Sequence, residues 1–343
     1  MIKTKTIILF SCISFLVLNC AKEPDLSSIT YNPTPYILPT LPSKYPSMII
    51  PADNPITQEG VELGRHLFYD KLFSSDGTMA CSSCHMPSGA FTDNKPTSKG
   101  VLGLNGTRSS MSLANIGFIN NGLFWDGRVK TLEEQAVLPV QDSIELHNNW
   151  DQVVIKLKQS ATYHTLFRKA FGISKSDEIT KELTVKAIAQ FERTLISINA
   201  KIDKIARQEA FFTDDEFDGY NLFFNTGGAP DAQCGHCHTS PFYLNDNGKY
   251  FNNGIDSAKF FTDFKDLGRG GFSKDITDNG KFRVLIAPDK NEEAWPKQIS
   301  MGSGAQTLAL LDNVPVWFEL WRTLNGFPPN YYVPKGDTQK EKK

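Results

Sequence analysis

The sequence predicts a mainly α-helical protein built as two related modules with long irregular loops. Three observations carry that expectation. Apolar residues recur at spacings of three and four over several stretches, the order helix, short turn, Cys-x-x-Cys-His occurs twice, and the stretches between are rich in Gly, Asn, Ser and Thr without a period. At 343 residues and a formal charge of -2 the chain can bury one large or two medium cores, and it lacks the basic balance that points to nucleic acid.

The N-terminus differs in kind from the rest. Lys3 and Lys5 precede an apolar run from Ile7 to Leu18, which suits the core of an export signal better than a membrane span. Val17, Leu18, Asn19 and Cys20 resemble the lipobox of bacterial lipoproteins, with Asn19 a loose match. Residues 1–20 are therefore expected to be a signal, with Cys20 acylated and the protein anchored by lipid at a periplasm-facing membrane. Prolines 24, 33, 35, 39, 42, 46, 51 and 55 make residues 21–55 an extended tether.

Thr57 then caps a helix with Val61, Leu63, Leu67 and Phe68 on its apolar side, ending before the Ser74–Gly77 turn. From Cys81 to Asn149 the composition predicts a loop-built pocket wrapped around something large. Helices are expected at about 150–158, 163–171 and 182–200. Thr213, Asp214, Asp215 and Glu216 form a capping box, so a further helix leads into Cys234. Residues 240–305 are irregular, 315–335 pack back as a short helix and extended tail, and 337–343 form a charged end. The expected division is 56–165 for the first module, 166–318 for the second and 319–343 for the returning tail.

The six cysteines sort without remainder. Cys12 lies in the signal, Cys20 is the lipid site, and Cys81, Cys84, Cys234 and Cys237 form two Cys-x-x-Cys pairs, each followed by a histidine, His85 and His238. Two thiols that add to haem vinyl groups and an adjacent imidazole that ligates iron require this spacing, so the chain is expected to carry two covalently bound c-type haems in two cytochrome c-like domains. A four-cysteine zinc site or a redox dithiol uses Cys-x-x-Cys alone, and neither explains a histidine after both pairs. His66, His147 and His164 are expected at the surface, and His236 is expected to be solvated.

Glu62-Leu-Gly-Arg-His-Leu-Phe68, the motif at 81–85, Ala90-Phe-Thr-Asp93, Phe124-Trp-Asp-Gly-Arg128, Leu132-Glu-Glu-Gln-Ala136 and the motif at 234–238 together resemble the bacterial dihaem cytochrome c peroxidases. That superfamily includes the dihaem enzyme that matures a tryptophan-derived quinone cofactor. The resemblance implies reduction of hydrogen peroxide to water with electrons taken one at a time from a small donor such as a c-type cytochrome or a blue copper protein. It makes the haem on His85 the peroxidatic one and the haem on His238 its electron store. It places a catalytic glutamate at Glu145, a pocket residue at Gln135 and an electron-relaying tryptophan at Trp125.

Departures from the family pattern also predict something. No histidine stands in Gly100–Arg108, where many members carry a ligand that closes the peroxidatic iron, so an open or water-bound distal site is expected. The Asn that helps hold calcium in the family is Ser109 here, which leaves calcium open. Residues 285–318 lack the family's expected elements, and two compensating frame errors would explain that; Met301 faintly echoes the methionine ligand of the second haem. Two alternatives stand beside the peroxidase: a dihaem oxidase acting on a protein or organic substrate, and a non-catalytic electron carrier. The sequence leaves a homodimer open.

Overall fold

The computed structural model describes residues 24–42, 45–224, 234–236, 238–243, 250 and 266–273. Cys20, Cys237 and Met301, the signal and the returning tail lie outside these residues. Among the described residues the protein is helical, and β structure is limited to isolated bridges such as Pro35 with Thr57. The helices are α1 (Gln58–Tyr69), α2 (Leu132–Gln141), α3 (Trp150–Lys158), α4 (Ala161–Phe171), α5 (Lys181–Glu192), α6 (Lys201–Ala206), α7 (Asp214–Phe224) and the short α8 (Arg269–Ser273).

Helix α1 begins where the sequence places it, because Thr57 Oγ1 accepts from Gly60 N at 3.0 Å. Its face of Leu63, Leu67 and Phe68 is fully buried. Gly60 and Gly64, one turn apart, let α1 lie directly on α5: a Cβ on Gly64 would collide with the Ala187 carbonyl and come within 2.9 Å of Phe191 Cβ. Helices α3 and α4 close the same core with Val153, Leu157, Phe167 and Ala170.

Several elements differ from expectation. The stretch from Cys81 to Asn149 is not all loop, since α2 forms on a capping box in which Thr131 Oγ1 accepts from Glu134 N at 3.1 Å and Glu134 Oε2 accepts from Thr131 N at 3.3 Å. Helix α5 stops at Glu192 instead of running to 200. Arg193 turns its guanidinium onto Glu133 of α2, and the following chain pairs with 115, where Asn115 N donates to Leu195 O at 2.7 Å. Position 165/166, where the sequence reading divides the modules, lies inside α4, and Val185, Ala187 and Ile188 of α5 share the core of α1.

The Pro-rich segment is extended but lies against this body. Leu26 is buried in the main core, its N–H donates to Ser174 O at 3.1 Å, and Gln58 N donates to Thr34 O at 2.8 Å. His164 is not a surface residue: it is 9% exposed, and its ring Nε2 lies 2.6 Å from the Lys158 carbonyl at the end of α3. His66 and His147 are exposed as expected. The capping box of α7 forms, with Thr213 N donating to Glu216 Oε2 at 2.8 Å.

Candidate functional site

Each Cys-x-x-Cys-His forms a tight turn that brings its first cysteine and its histidine together. His85 N donates to Cys81 O at 3.0 Å, and His238 N donates to Cys234 O at 2.8 Å. The imidazoles are held alike: His85 Nδ1 lies 3.0 Å from Phe91 O and His238 Nδ1 lies 2.9 Å from Tyr243 O. A carbonyl can only accept, so the contact favours the tautomer protonated at Nδ1, the one in which Nε2 has a lone pair to give a metal. Phe91 and Tyr243 both adopt left-handed backbone, φ 60° and 56°, turning those carbonyls onto the rings. Phe68 and Phe223 sit beside the two imidazoles at ring separations of 6.5 and 6.4 Å. The two motifs thus share one local design.

Cys81, Cys84 and His85 line a cavity of about 370 Å³, within the range of cofactor pockets. Much of its wall is apolar, including Leu113, Ile116, Leu123, Leu132 and Ile188. Glu145, Trp125 and Gln135 line the same cavity, so the three residues expected from the resemblance converge with the first motif. Glu145 is held by its backbone: Val101 N donates to Glu145 O at 2.8 Å, an approach that requires Gly100, whose Cβ would collide with the Ile144 carbonyl.

Glu145 is an exposed residue that lines the cavity wall. Burial raises its pKa above the usual carboxylate value; Asp142 adds to the rise and Arg128 opposes it. Trp125 is 54% exposed, so it is not a core tryptophan, and its indole donates to Ser109 O at 2.8 Å. The turn that carries it is pinned at Asp126, which accepts from Arg108 at 2.7 Å and Arg128 at 2.9 Å, while Arg108 also grips Asp266. Burial pushes the Cys81 thiol up to about 12, with the Glu192 carboxylate next in effect, and burial raises Cys84 as well. Thiols held protonated in this way make a poor redox dithiol.

This site fits a haem on its own chemistry. It offers two thiols and an imidazole at attachment spacing, a greasy wall, and a buried Glu192 oxygen without a protein partner. Glu192 was not legible as a site residue by motif. It stands four residues after Ile188, in register with the buried face of α5, and that placement of an acid is the signal that marks it.

A helical protein with paired Cys-x-x-Cys-His turns, one of them on a cofactor-sized cavity, has the build of a c-type haem protein. The family model described as di-haem cytochrome c peroxidase matches residues 58–210. The chain is 33% identical over 225 residues to the methylamine utilization protein MauG of Methylophilus methylotrophus, covering 65% of this chain and 62% of that one. It is 37% identical over 200 residues to the cytochrome c551 peroxidase of Nitrosomonas europaea, covering 57% and 56%. It superposes on the crystal structure of a MauG-like protein associated with microbial copper homeostasis with a TM-score of 0.59 at 30% identity, covering 71% and 73%. The chain belongs to the di-haem cytochrome c peroxidase family. It spans less than two thirds of the length of the two relatives compared by sequence.

Proposed function

We propose that the chain carries two covalent haems, one on Cys81 and Cys84 with His85 as iron ligand, the other on Cys234 and Cys237 with His238, and that it reduces hydrogen peroxide at the first. A small carrier, a c-type cytochrome or a blue copper protein, supplies the electrons one at a time through the second. The observation that carries this reading is the convergence of Glu145, Gln135 and Trp125 on the cavity of Cys81, Cys84 and His85. The bound haem supplies an iron able to pass electrons to peroxide.

Glu145 takes the proton from one peroxide oxygen and returns it to the other as that oxygen leaves, work suited to a carboxylate whose basicity is raised above the usual value. Gln135 offers an amide to orient the substrate. Trp125, fixed by its bond to Ser109 and by the Asp126 ion pairs, gives an oxidisable ring on the cavity wall. His85 is kept in one tautomer by Phe91 O. We further propose export, with acylation of Cys20 holding the protein at a membrane; a Cys20→Ser chain would then leave the membrane fraction. The two haem modules would divide after α5.

The exposed Trp125 and the MauG-like neighbour favour one second reading, oxidation of a protein or organic substrate at the same site. Spectra of the oxidised protein before and after one equivalent of peroxide test both. A high-spin component that reacts at once and is discharged by reduced cytochrome supports the peroxidase; a long-lived oxidised state indifferent to reduced cytochrome supports the oxidase. A wholly low-spin spectrum inert to peroxide contradicts both and leaves an electron carrier.

A further inference from the structure

Glu192 closes α5 with only 4% of its surface exposed, and its Oε2 has no hydrogen-bond partner. The nearest cation does not pair with it. Arg193 gives both Nη atoms to Glu133 of α2, at 2.7 and 3.1 Å, while its Nε makes no hydrogen bond, so its pull on Glu192 acts through space and is opposed by Glu133 itself. From α1 the packing partner is apolar, Phe68 against Phe191 at a ring separation of 5.2 Å. From the attachment segment it is Cys81, whose thiol feels the Glu192 charge. Glu192 lines the cavity that holds Cys81, Cys84 and His85, and His85 is not among the groups that act on it.

A native protein rarely leaves a buried carboxyl without a partner, and such a group asks for an explanation at the site it faces. We propose that Glu192 is the proton partner of the haem on Cys81: it keeps its proton while the iron is ferrous and releases it when the iron is oxidised. The inference rests on the haem reading above. With haem bound, one electron would pass from the iron to the partner haem and one proton from the Glu192 carboxyl to solvent through the cavity; re-reduction by the electron donor would reverse both transfers. Oxidation adds one positive charge to the cavity, which favours the ionised carboxylate. Burial holds the Glu192 pKa up to about 8, so the proton is bound near neutrality and a moderate added attraction releases it.

The test is a spectroelectrochemical titration of both haems in the holoprotein from below to above neutral pH. In the wild type the potential of the Cys81 haem should fall by about 59 mV per pH unit over the coupled range, the one-electron equivalent of a tenfold change in proton activity. In Glu192→Gln it should not change with pH, while the His238 haem responds equally in both proteins. Glu145→Gln, which removes another acid of this cavity and the one whose carboxyl burial also raises, should keep the slope. Equal slopes in wild type and Glu192→Gln, no slope in either, or loss of slope in Glu145→Gln alone overturns the proposal. Should Glu192→Gln fail to fold, redox-difference infrared spectra of the wild type decide: loss of a protonated-carboxyl carbonyl band on oxidation supports the proposal, and an unchanged carbonyl region overturns it. A protein without haem on Cys81 and Cys84 would defeat the function reading as well, whereas a pH-independent potential in a di-haem protein defeats only the role of Glu192.

Discussion

Replacing Glu133 by alanine should cost more stability than any other single change of a surface-reaching acid in the first body. Glu133 accepts from Arg193 Nη1 at 2.7 Å and Nη2 at 3.1 Å and from Asn54 Nδ2 at 2.6 Å. The two side chains of the ion pair are 16% and 4% exposed, so little solvent screens them. Removing the acid leaves a buried guanidinium unpaired, at a cost of roughly 3–5 kcal/mol. The lost bond to Asn54 adds about 1 kcal/mol. Part of this returns if Arg193 swings to the unpartnered Glu192, so a net loss of about 3–4 kcal/mol is expected, which lowers Tm by roughly 6–16 °C for a body of this size.

The pair also sets a pH dependence. Burial acts to raise the Glu133 pKa, but the bonds from Arg193 and Asn54 outweigh it and hold the carboxyl below the usual range. Its stabilisation is therefore present above the unfolded-state pKa and is lost as pH falls through the lower folded value, so wild type and variant should converge in acid. Urea and thermal unfolding of the two holoproteins measure the difference. A loss at neutral pH below about 1 kcal/mol, the level of an exposed pair, would refute the reasoning.

Three further outcomes follow from the same geometry. Glu145→Gln should leave the haem spectrum unchanged and lower peroxide turnover by roughly 10²–10⁴-fold; the wild-type rate should fall in acid as the raised carboxyl of Glu145 is protonated, and that limb should vanish in the variant. Gly64→Ala gains about 1 kcal/mol of helix propensity but drives a methyl into the Ala187 carbonyl, so a net destabilisation of roughly 1–3 kcal/mol should appear in urea melts. Glu192 has a folded pKa raised above its unfolded one, so the stability of the reduced wild-type protein should decline as pH rises from the ordinary carboxylate value towards about 8, and Glu192→Gln should flatten that decline in unfolding curves recorded under reducing conditions.

The helices most legible in the sequence were those with a local cap and a clear apolar period. Thr57 and the Thr213–Glu216 box mark α1 and α7 without help from the rest of the chain. Helix α2 was hidden by its brevity and by Pro139 within it, although its capping box stands in plain view. The early stop of α5 depends on a contact with Glu133, sixty residues away in sequence, and no local pattern reports that. Burial of Leu26 and His164 likewise comes from packing against Ser174 and the end of α3. In the site, Cys81, Cys84 and His85 are legible because the Cys-x-x-Cys-His spacing is contiguous in sequence and is itself the signal. Glu145 was one acid among 38 until family resemblance singled it out, because a distal carboxylate is defined by the cavity it faces and not by its neighbours in the chain.

The account turns on pigment bound by thioether at both motifs, and one measurement addresses that directly: intact mass of the protein matured in a host competent for cytochrome c assembly, with acid-acetone extraction of the denatured sample. A mass increased by two haems and colour retained by the polypeptide is the predicted result. A mass equal to the bare processed chain, or pigment passing wholly into the solvent, would contradict it.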